Sequence, residues 1–583
     1  MGVVSAAEAA VRVLESEGAE VLFGIPGASI LPFYAALKGS RLRHVLARHE
    51  EGATHAAEGF TRARAGAIGI AVGTSGPAGT NMVTGLYSAL ADSIPILCIT
   101  GQAPRDELER EYFQAVDVAA ITRPVTKWSV CVKEPGQVPG VFRKAYQIMR
   151  EGRPGPVHID LPIDVQKAPI AYDPARDRPL PVVRPEPDPG AIEAALDLLQ
   201  AAERPLVIAG GGVILAEASQ LLVRFAEITQ TPVVPTLMGW GAIPDDHPLQ
   251  AGQVGLQTQH RYGNATFLEA DFVLGIGNRW ANRHTGSLEV YRRGKRFVHI
   301  DIEPTQIGRI FPPDLGIVAD ARLALEALVE AAEERARRGL LPDRSAWVRA
   351  CQERKRRLRR RDDFDQVPIK PQRVFREMRR SFPRETRYVT AIGLYQIAAC
   401  QFLEMSWPRQ FLICGQAGPL GWEIPAAVGA KLADPEREVV AIVGDYSFQF
   451  LVEELAMAAQ YRVPFVVVVV NNAYLGLIRQ AEMAYDMDYE VQLGFVNANA
   501  PEIGDFGVDH LRAAEAFGAV ARRVVEPREL APAFAWAREE ARRRELPVVV
   551  EVITEKVTNI AMGPEIDRIR EFEPVVDEAE PVA

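Results

Sequence analysis

The chain has 583 residues, 48% of them hydrophobic and 24% charged, the ordinary balance of a globular protein built from several domains. A formal net charge of -10 argues against a general nucleic-acid binder, and the longest apolar runs, such as Val463–Val470, are far too short to cross a bilayer. Cys98, Cys131, Cys351, Cys400 and Cys414 are odd in number, scattered and without a Cys-x-x-Cys pair, which argues against a disulfide framework and a zinc site.

The first twenty or so residues are mildly apolar but interrupted by Glu8, Arg12, Glu15 and Glu17. The spacing suits an amphipathic helix and lacks the basic region and apolar core of a signal peptide, so a cytoplasmic location is expected. Short β-branched runs then alternate with helical patterns: Ala67–Val72, Ile94–Thr100, Val157–Leu161, Leu206–Ala209, Phe272–Ile276, Phe297–Ile302, Val439–Val443, Phe465–Val470 and Val548–Ile553. Many are continuously apolar rather than alternating, as in strands covered on both faces of a parallel α/β sheet. Residues 166–190 carry Pro169, Pro174, Pro179, Pro181, Pro185, Pro187 and Pro189 and read as a semi-rigid linker. The basic run Arg354–Arg361 reads as a solvated helix between domains, since charge runs usually form solvated faces. Three α/β domains with mainly parallel sheets are expected, at 1–165, 190–345 and 372–555, followed by an acidic, proline-bearing tail over 556–583.

The strongest chemical signal lies in the third of these. The strand Val439–Val443 turns at Gly444-Asp445, a helical pattern spans Gln449–Gln460, and a second strand ends at Asn471-Asn472. Two parallel strand ends thus present an Asp and an Asn at one carboxyl edge, where open α/β sheets bind ligands. Both side chains offer hard oxygen ligands suited to Mg²⁺, which normally keeps phosphate oxygens in its shell. Taken one at a time, a helix cap at Asp445 and a turn at Asn471-Asn472 explain the same residues.

Together they resemble the signature of the thiamine-diphosphate-dependent enzymes. The resemblance implies that Asp445, Asn472 and the backbone carbonyl of Tyr474 hold Mg²⁺ against the diphosphate, with Gly444 and Ser447 in the same turn. Tyr446 departs from the family motif, which has a second glycine there. The three domains then become a pyrimidine-binding domain, a central domain and a diphosphate-binding domain, with active sites between subunits of a homodimer or homotetramer.

The first domain supplies Arg48-His49-Glu50-Glu51-Gly52-Ala53 after the strand-like His44–Ala47. A Glu-Glu pair at a helix start is favoured by the helix dipole alone. The family resemblance gives Glu50 a second meaning, the acid that exchanges a proton with the pyrimidine nitrogen. It also places Phe113 and Gln114 in the active site, and the glycines of Gly73–Thr80 permit close backbone approach to a ligand. In Gly415–Gly421, either an ordinary glycine-rich turn or a cofactor cradle, the resemblance makes Leu420 the apolar wedge that bends the cofactor and the Gly418 carbonyl the acceptor for its amine.

The central domain runs a strand into Gly210-Gly211-Gly212, a weak dinucleotide signal by itself. It resembles the FAD-binding domain of the acetohydroxyacid synthase branch, which extends to Arg153, Thr236, Leu237, Arg279, Asp301 and Asp320. Within that branch the segments Gly73–Met82, Ala91–Pro104, Pro235–His247, Gly275–Ser287 and Asn471–Gln480 are most similar to the glyoxylate carboligases, which join two glyoxylates with loss of CO₂. Ala481 and Leu394-Tyr395 stand where the acetohydroxyacid synthases have Trp and Gln-His, which also favours carboligase chemistry. Arg283 offers a cation for the substrate carboxylate, with a salt bridge or an FAD contact as its alternatives. One residue departs: the carboligases carry an apolar Val where this chain has Glu50. A thiamine-dependent enzyme acting on pyruvate or a related 2-oxo acid, and a non-catalytic flavoprotein scaffold, remain the competing readings.

Overall fold

The structure is a computed structural model that describes residues 2–256, 260–483, 485–487, 489–556 and 565–567. The expected tail over 556–583 thus lies outside the described residues, apart from Lys556 and residues 565–567.

Three sheets carry the chain, and every strand pair within them is parallel. The first has, in spatial order, Arg43–Leu46, Val21–Gly24, Gly69–Gly73, Ile96–Gln102, Val157–Pro162 and Trp128–Cys131. The second has Val233–Pro235, Pro205–Ala209, Phe272–Ile276, Arg296–Asp301 and Leu315–Val318. The third has Phe411–Ile413, Arg387–Thr390, Val439–Gly444, Val466–Asn471, Val548–Ile553 and Val520–Val524. Counted in chain order within each sheet, the two outer ones share the order 2-1-3-4-6-5, and the central one runs 2-1-3-4-5. Each therefore has a switch point between its first and third strands, where neighbouring connections leave in opposite directions and open a crevice at the carboxyl ends.

The continuously apolar runs are buried along their whole length, as in Gly69–Gly73, Ile96–Gln102, Val439–Gly444 and Val466–Asn471. Helices cover both faces and leave these strands no solvent side, the reason for their unbroken hydrophobicity.

Three local features differ from expectation. Within the proline-rich stretch, Pro169–Tyr172 pairs antiparallel with Gly2–Ser5, just ahead of the expected amphipathic helix, which spans Ala6–Ser16. Pro169 opens its strand, where a missing N–H is tolerated. The helix expected over Gln449–Gln460 begins only at Glu454, and a separate short helix spans Asp445–Phe448. The basic helix Ser345–Arg357 is not wholly solvated. Arg354 pairs with Glu269 at 2.6 Å, and Lys355 Nζ donates to the Asp245 carbonyl at 2.5 Å and to Gln250 Oε1 at 2.7 Å.

The outer domains share one hydrophobic core. Ala53, Ala56, Ala57 and Phe60 of the helix Glu50–Ala63 pack with Trp422, Ile424, Ala426 and Ala427 of the third domain. The crossing with the helix Glu423–Ala433 is tight on both sides. A Cβ on Gly59 would lie 2.1 Å from the Ala426 carbonyl oxygen, and one on Gly429 1.9 Å from that of Ala56.

Candidate active site

At the switch point of the third sheet, Gly444 ends a strand and Asp445 opens a short helix. A Cβ on Gly444 would stand 2.5 Å from the Tyr395 ring, so only glycine fits between the ring and this turn. Asp445 is buried, and burial pushes its carboxyl up to about 6 against the opposing effects of His510 and backbone N–H groups. Its Oδ2 accepts from Ala473 N at 2.8 Å, which holds Ala473 at φ 56° in the turn after Asn471-Asn472. A non-glycine residue in that region carries strain that its surroundings must hold. Asn472 Oδ1 accepts from Tyr474 N at 3.3 Å. Asp445, Asn472 and Tyr474 therefore come together from two adjacent strand ends, as the sequence predicts. Behind them, His510 pairs with the buried Glu551 at 2.8 Å and lies 3.2 Å from the Asp445 carbonyl, while Glu551 also accepts from Asn471 at 2.9 Å.

The turn Gly415–Gly421 lies against the same edge. Gly418 has φ 60°, which favours glycine, and Leu420 is half-buried beside it. Gly421 N donates to Ser447 Oγ at 2.8 Å. Ser447 in turn donates to Glu423 at 2.9 Å, so its hydroxyl ties this turn to the Asp445 turn. Glu423 also accepts from Tyr395 at 2.5 Å.

In the first domain Glu50 opens its helix half-buried, and Asn81 Nδ2 donates to its Oε2 at 2.9 Å. The backbone before it is fixed from the third domain: Glu454, fully buried, accepts from Arg48 N at 3.0 Å and His49 N at 2.9 Å. Gln114 has φ 57° and receives a long hydrogen bond of 3.4 Å from Ser75, beside the Gly76 turn. Phe113 is 79% exposed in the single chain, free to meet another surface.

The central switch point opens a cavity of about 500 Å³. Its wall includes Arg153, Gly211, Gly212, Thr236, Leu237, Arg279, Asp301 and Asp320, nearly the whole set expected there. Gly210 stands behind the wall, where a Cβ would strike the Gly277 carbonyl oxygen at 2.0 Å. Asn278 lines the cavity with both side-chain polar atoms buried and unpartnered. Burial pushes Asp301 up to about 6, and burial followed by the charge of Arg279 pushes Arg153 down to about 10. Arg283 lies on this same wall, and the cavity extends to Ile392, Gly415 and Gln416 at the edge of the turn that carries Leu420.

Models of thiamine pyrophosphate enzymes match in three blocks: the N-terminal TPP binding domain over residues 4–121, the central domain over 192–328 and the C-terminal TPP binding domain over 391–552. A glyoxylate carboligase from Escherichia coli O157:H7 is 59% identical over 580 residues, 99% of this chain and 98% of that one. The chain belongs to the thiamine pyrophosphate enzymes. Within this family it is also 39% identical to a probable acetolactate synthase large subunit of Methanocaldococcus jannaschii, across 90% of this chain and 88% of that one. An acetolactate synthase large subunit of Corynebacterium glutamicum is 37% identical across 94% and 87% of the two chains. As a thiamine pyrophosphate enzyme the chain has TPP binding domains at both ends, the N-terminal one containing Glu50 and the C-terminal one Asp445. Among the described residues no group of three His, Cys, Asp or Glu side chains stands ready for a metal, and no helix is long and apolar enough to cross a membrane.

Sequence reasoning missed Glu423, Glu454 and the pair His510–Glu551, because each is a polar side chain whose partners are remote in the chain. A test of the Glu423 cluster follows from its burial, which pushes the carboxyl from its ordinary 4.5 up to about 7, outweighing the hydrogen bonds from Tyr395 and Ser447. The folded state thus favours the protonated form. Its stability contribution is complete below pH 4.5 and is lost as pH rises through 7, a change on the order of 3 kcal/mol. Glu423→Gln, which cannot titrate, is expected to flatten the decline of melting temperature between pH 4 and pH 8. Parallel profiles for the parent and variant would contradict this.

Proposed function

We propose that the protein is a thiamine-diphosphate- and Mg²⁺-dependent carboligase that condenses two glyoxylates to tartronate semialdehyde and CO₂. The observation that carries this reading is the near full-length similarity to a glyoxylate carboligase in a chain that brings Asp445 and Asn472 together at one sheet edge. The donor set supports Mg²⁺: a buried carboxylate, an amide oxygen and a backbone carbonyl are hard ligands, and a diphosphate would complete the shell.

The reaction joins the carbonyl carbon of one glyoxylate to that of another as the first loses CO₂, and it takes up one proton. Bound thiamine diphosphate supplies the electron sink for the departing carboxylate. The protein's share is binding, orientation and proton movement. Asp445, Asn472 and the Tyr474 carbonyl would hold the diphosphate end through Mg²⁺. The Gly418 carbonyl would accept from the pyrimidine amine, and Leu420 would pack against the cofactor rings. Asn81 occupies Glu50 Oε2, which leaves Oε1 to exchange a proton with the pyrimidine nitrogen. Phe113 and Gln114 close the site from an exposed loop, in keeping with an oligomer whose subunits complete each other's sites. The exposed Phe113, Phe450, Ile478 and Tyr485 support such an assembly. Five free cysteines fit a reducing cytoplasm.

The central cavity suits FAD. Arginines on its wall, Arg153, Arg279 and Arg283 among them, match a pyrophosphate, and the unpartnered Asn278 amide awaits a polar ring edge. Purified protein is therefore expected to be yellow, with flavin that turnover does not reduce. A colourless and fully active preparation would contradict a flavin requirement. Arg283→Gln separates the two roles of that residue: loss of flavin marks a flavin contact, whereas a raised KM for glyoxylate with flavin retained marks the substrate's cation. Its place on the cavity wall favours flavin loss. The reading as a whole is tested by CO₂ release, with thiamine diphosphate and Mg²⁺ supplied. Release is expected from glyoxylate in preference to pyruvate, and the opposite preference would select the alternative synthase.

A further inference from the structure

The turn that carries Gly418 and Leu420 is gripped at both ends by carboxylates from the first domain. At its start, Gly415 N donates to Asp92 Oδ2 at 2.8 Å and Gln416 N to Asp92 Oδ1 at 3.1 Å. At its end, Trp422 Nε1 donates to Glu58 Oε2 at 2.9 Å. One guanidinium joins the two acids. Arg62 Nη2 donates to Asp92 Oδ2 at 2.9 Å and also to Glu58 Oε1, to which its Nε donates at 3.0 Å. The same guanidinium lies 5.4 Å from the centre of the Trp422 ring. Ser88 adds a hydrogen bond of 3.2 Å to Glu58, and His55 lies 3.8 Å from its other oxygen. The side chains of Glu58 and Asp92 are fully buried, and that of Arg62 is 4% exposed. Burial raises the Glu58 carboxyl, but Arg62 and His55 outweigh it and hold the group down at about 2.

We propose that Asp92, Glu58 and Arg62 are positioning residues for the reaction: they fix the Gly415–Trp422 turn so that the Gly418 carbonyl and Leu420 meet the cofactor in register. This role rests on the function proposed above. Three features support it. Asp92 gives both its oxygens and Glu58 gives Oε2 to backbone or indole N–H groups of this one turn, and neither acid faces solvent. The turn is tied again at Gly421 by Ser447, so its two termini and its far side are all fixed while Gly418 and Leu420 remain free to face a ligand. Glu58 and Arg62 also belong to the helix that begins at Glu50, two turns and more away, so one rigid element joins the grip on this chain's turn to the proton-exchanging acid that, with sites between subunits, serves the neighbouring site. A buried ion triad contributes little net stability compared with a well-packed apolar replacement, and geometric specificity is the better-supported use of one.

The test uses full-length Asp92→Asn and, as a milder change that retains an aromatic side chain, Trp422→Phe. Amide exchange of the peptide over 411–422 is followed by mass spectrometry with and without thiamine diphosphate and Mg²⁺, alongside cofactor affinity and turnover. The expected result for Asp92→Asn is at least ~10-fold faster exchange in this peptide without cofactor. Turnover at saturating cofactor should fall ~100-fold, the scale of a catalytic group displaced by about 1 Å, while cofactor affinity changes only about threefold, because the Asp445 anchor is untouched. Trp422→Phe should fall the same way by ~10-fold, and it decides the matter if Asp92→Asn does not fold. Exchange at the parent rate, or faster exchange with turnover within about twofold of the parent, would overturn the positioning role and leave the proposed function standing. Parent protein whose peptide gains no protection from thiamine diphosphate would overturn the function and this role with it.

Discussion

Asp445→Ala is expected to abolish turnover and to weaken thiamine-diphosphate binding by more than the ~10–100-fold typical of losing an outer-shell partner of a metal. Two losses combine at this position. On the proposed function, the diphosphate would give up the carboxylate that completes its Mg²⁺ anchor. In addition, Ala473 N loses its 2.8 Å acceptor, so the strained turn that presents Asn472 and the Tyr474 carbonyl is released. Titration of the apoprotein with thiamine diphosphate at fixed Mg²⁺ measures the effect directly. An affinity equal to that of the parent would remove Asp445 from the metal site. Asp445→Asn should lie between the two, since an amide oxygen can accept from Ala473 but carries no charge for the cation.

Glu50→Gln should slow proton–deuterium exchange at the thiazolium carbon by about 10²–10⁴-fold, the range that a positioned general acid or base contributes. An amide can occupy the space and keep a bond to Asn81, but it cannot pass a proton to the pyrimidine nitrogen. Glu50→Val should slow exchange as well, yet keep measurable carboligation, because Val is the residue the glyoxylate carboligases carry at this place. Turnover follows whichever barrier is highest, so slower activation of the cofactor need not lower kcat in proportion. Quenched-flow NMR of the bound cofactor, read beside glyoxylate turnover, separates the two. If both variants exchange as fast as the parent, Glu50 is a helix-start carboxylate without contact to the cofactor.

Much of the fold was legible because its strands are buried on both faces and their apolar runs are unbroken, as in Val439–Gly444 and Val466–Asn471. The Asp445 and Asn472 pair was legible for the same reason, since each follows directly from a strand whose end the sequence marks. Pro169–Tyr172 was not, because its pairing depends on Gly2–Ser5, more than 160 residues away. The inward turn of Lys355 was hidden inside a charge run whose partners, Asp245 and Gln250, lie in another part of the chain. The grip of Asp92 and Glu58 on the Gly415–Trp422 turn was equally invisible. Glu58 and Arg62 look like an ordinary helical ion pair four residues apart, and only the packing of Gly59 against Ala426 brings that helix face onto Trp422.

The central claim is the condensation itself, and the most direct measurement is product identity and stoichiometry from glyoxylate. Protein supplied with thiamine diphosphate and Mg²⁺ is incubated with carbon-13-labelled glyoxylate and followed by NMR, with CO₂ collected. Tartronate semialdehyde should form in equal amount with CO₂, with two glyoxylates consumed and one proton taken up for each. Release of CO₂ with formaldehyde as the other product would make the protein a decarboxylase, and no release from glyoxylate under these conditions would contradict the account.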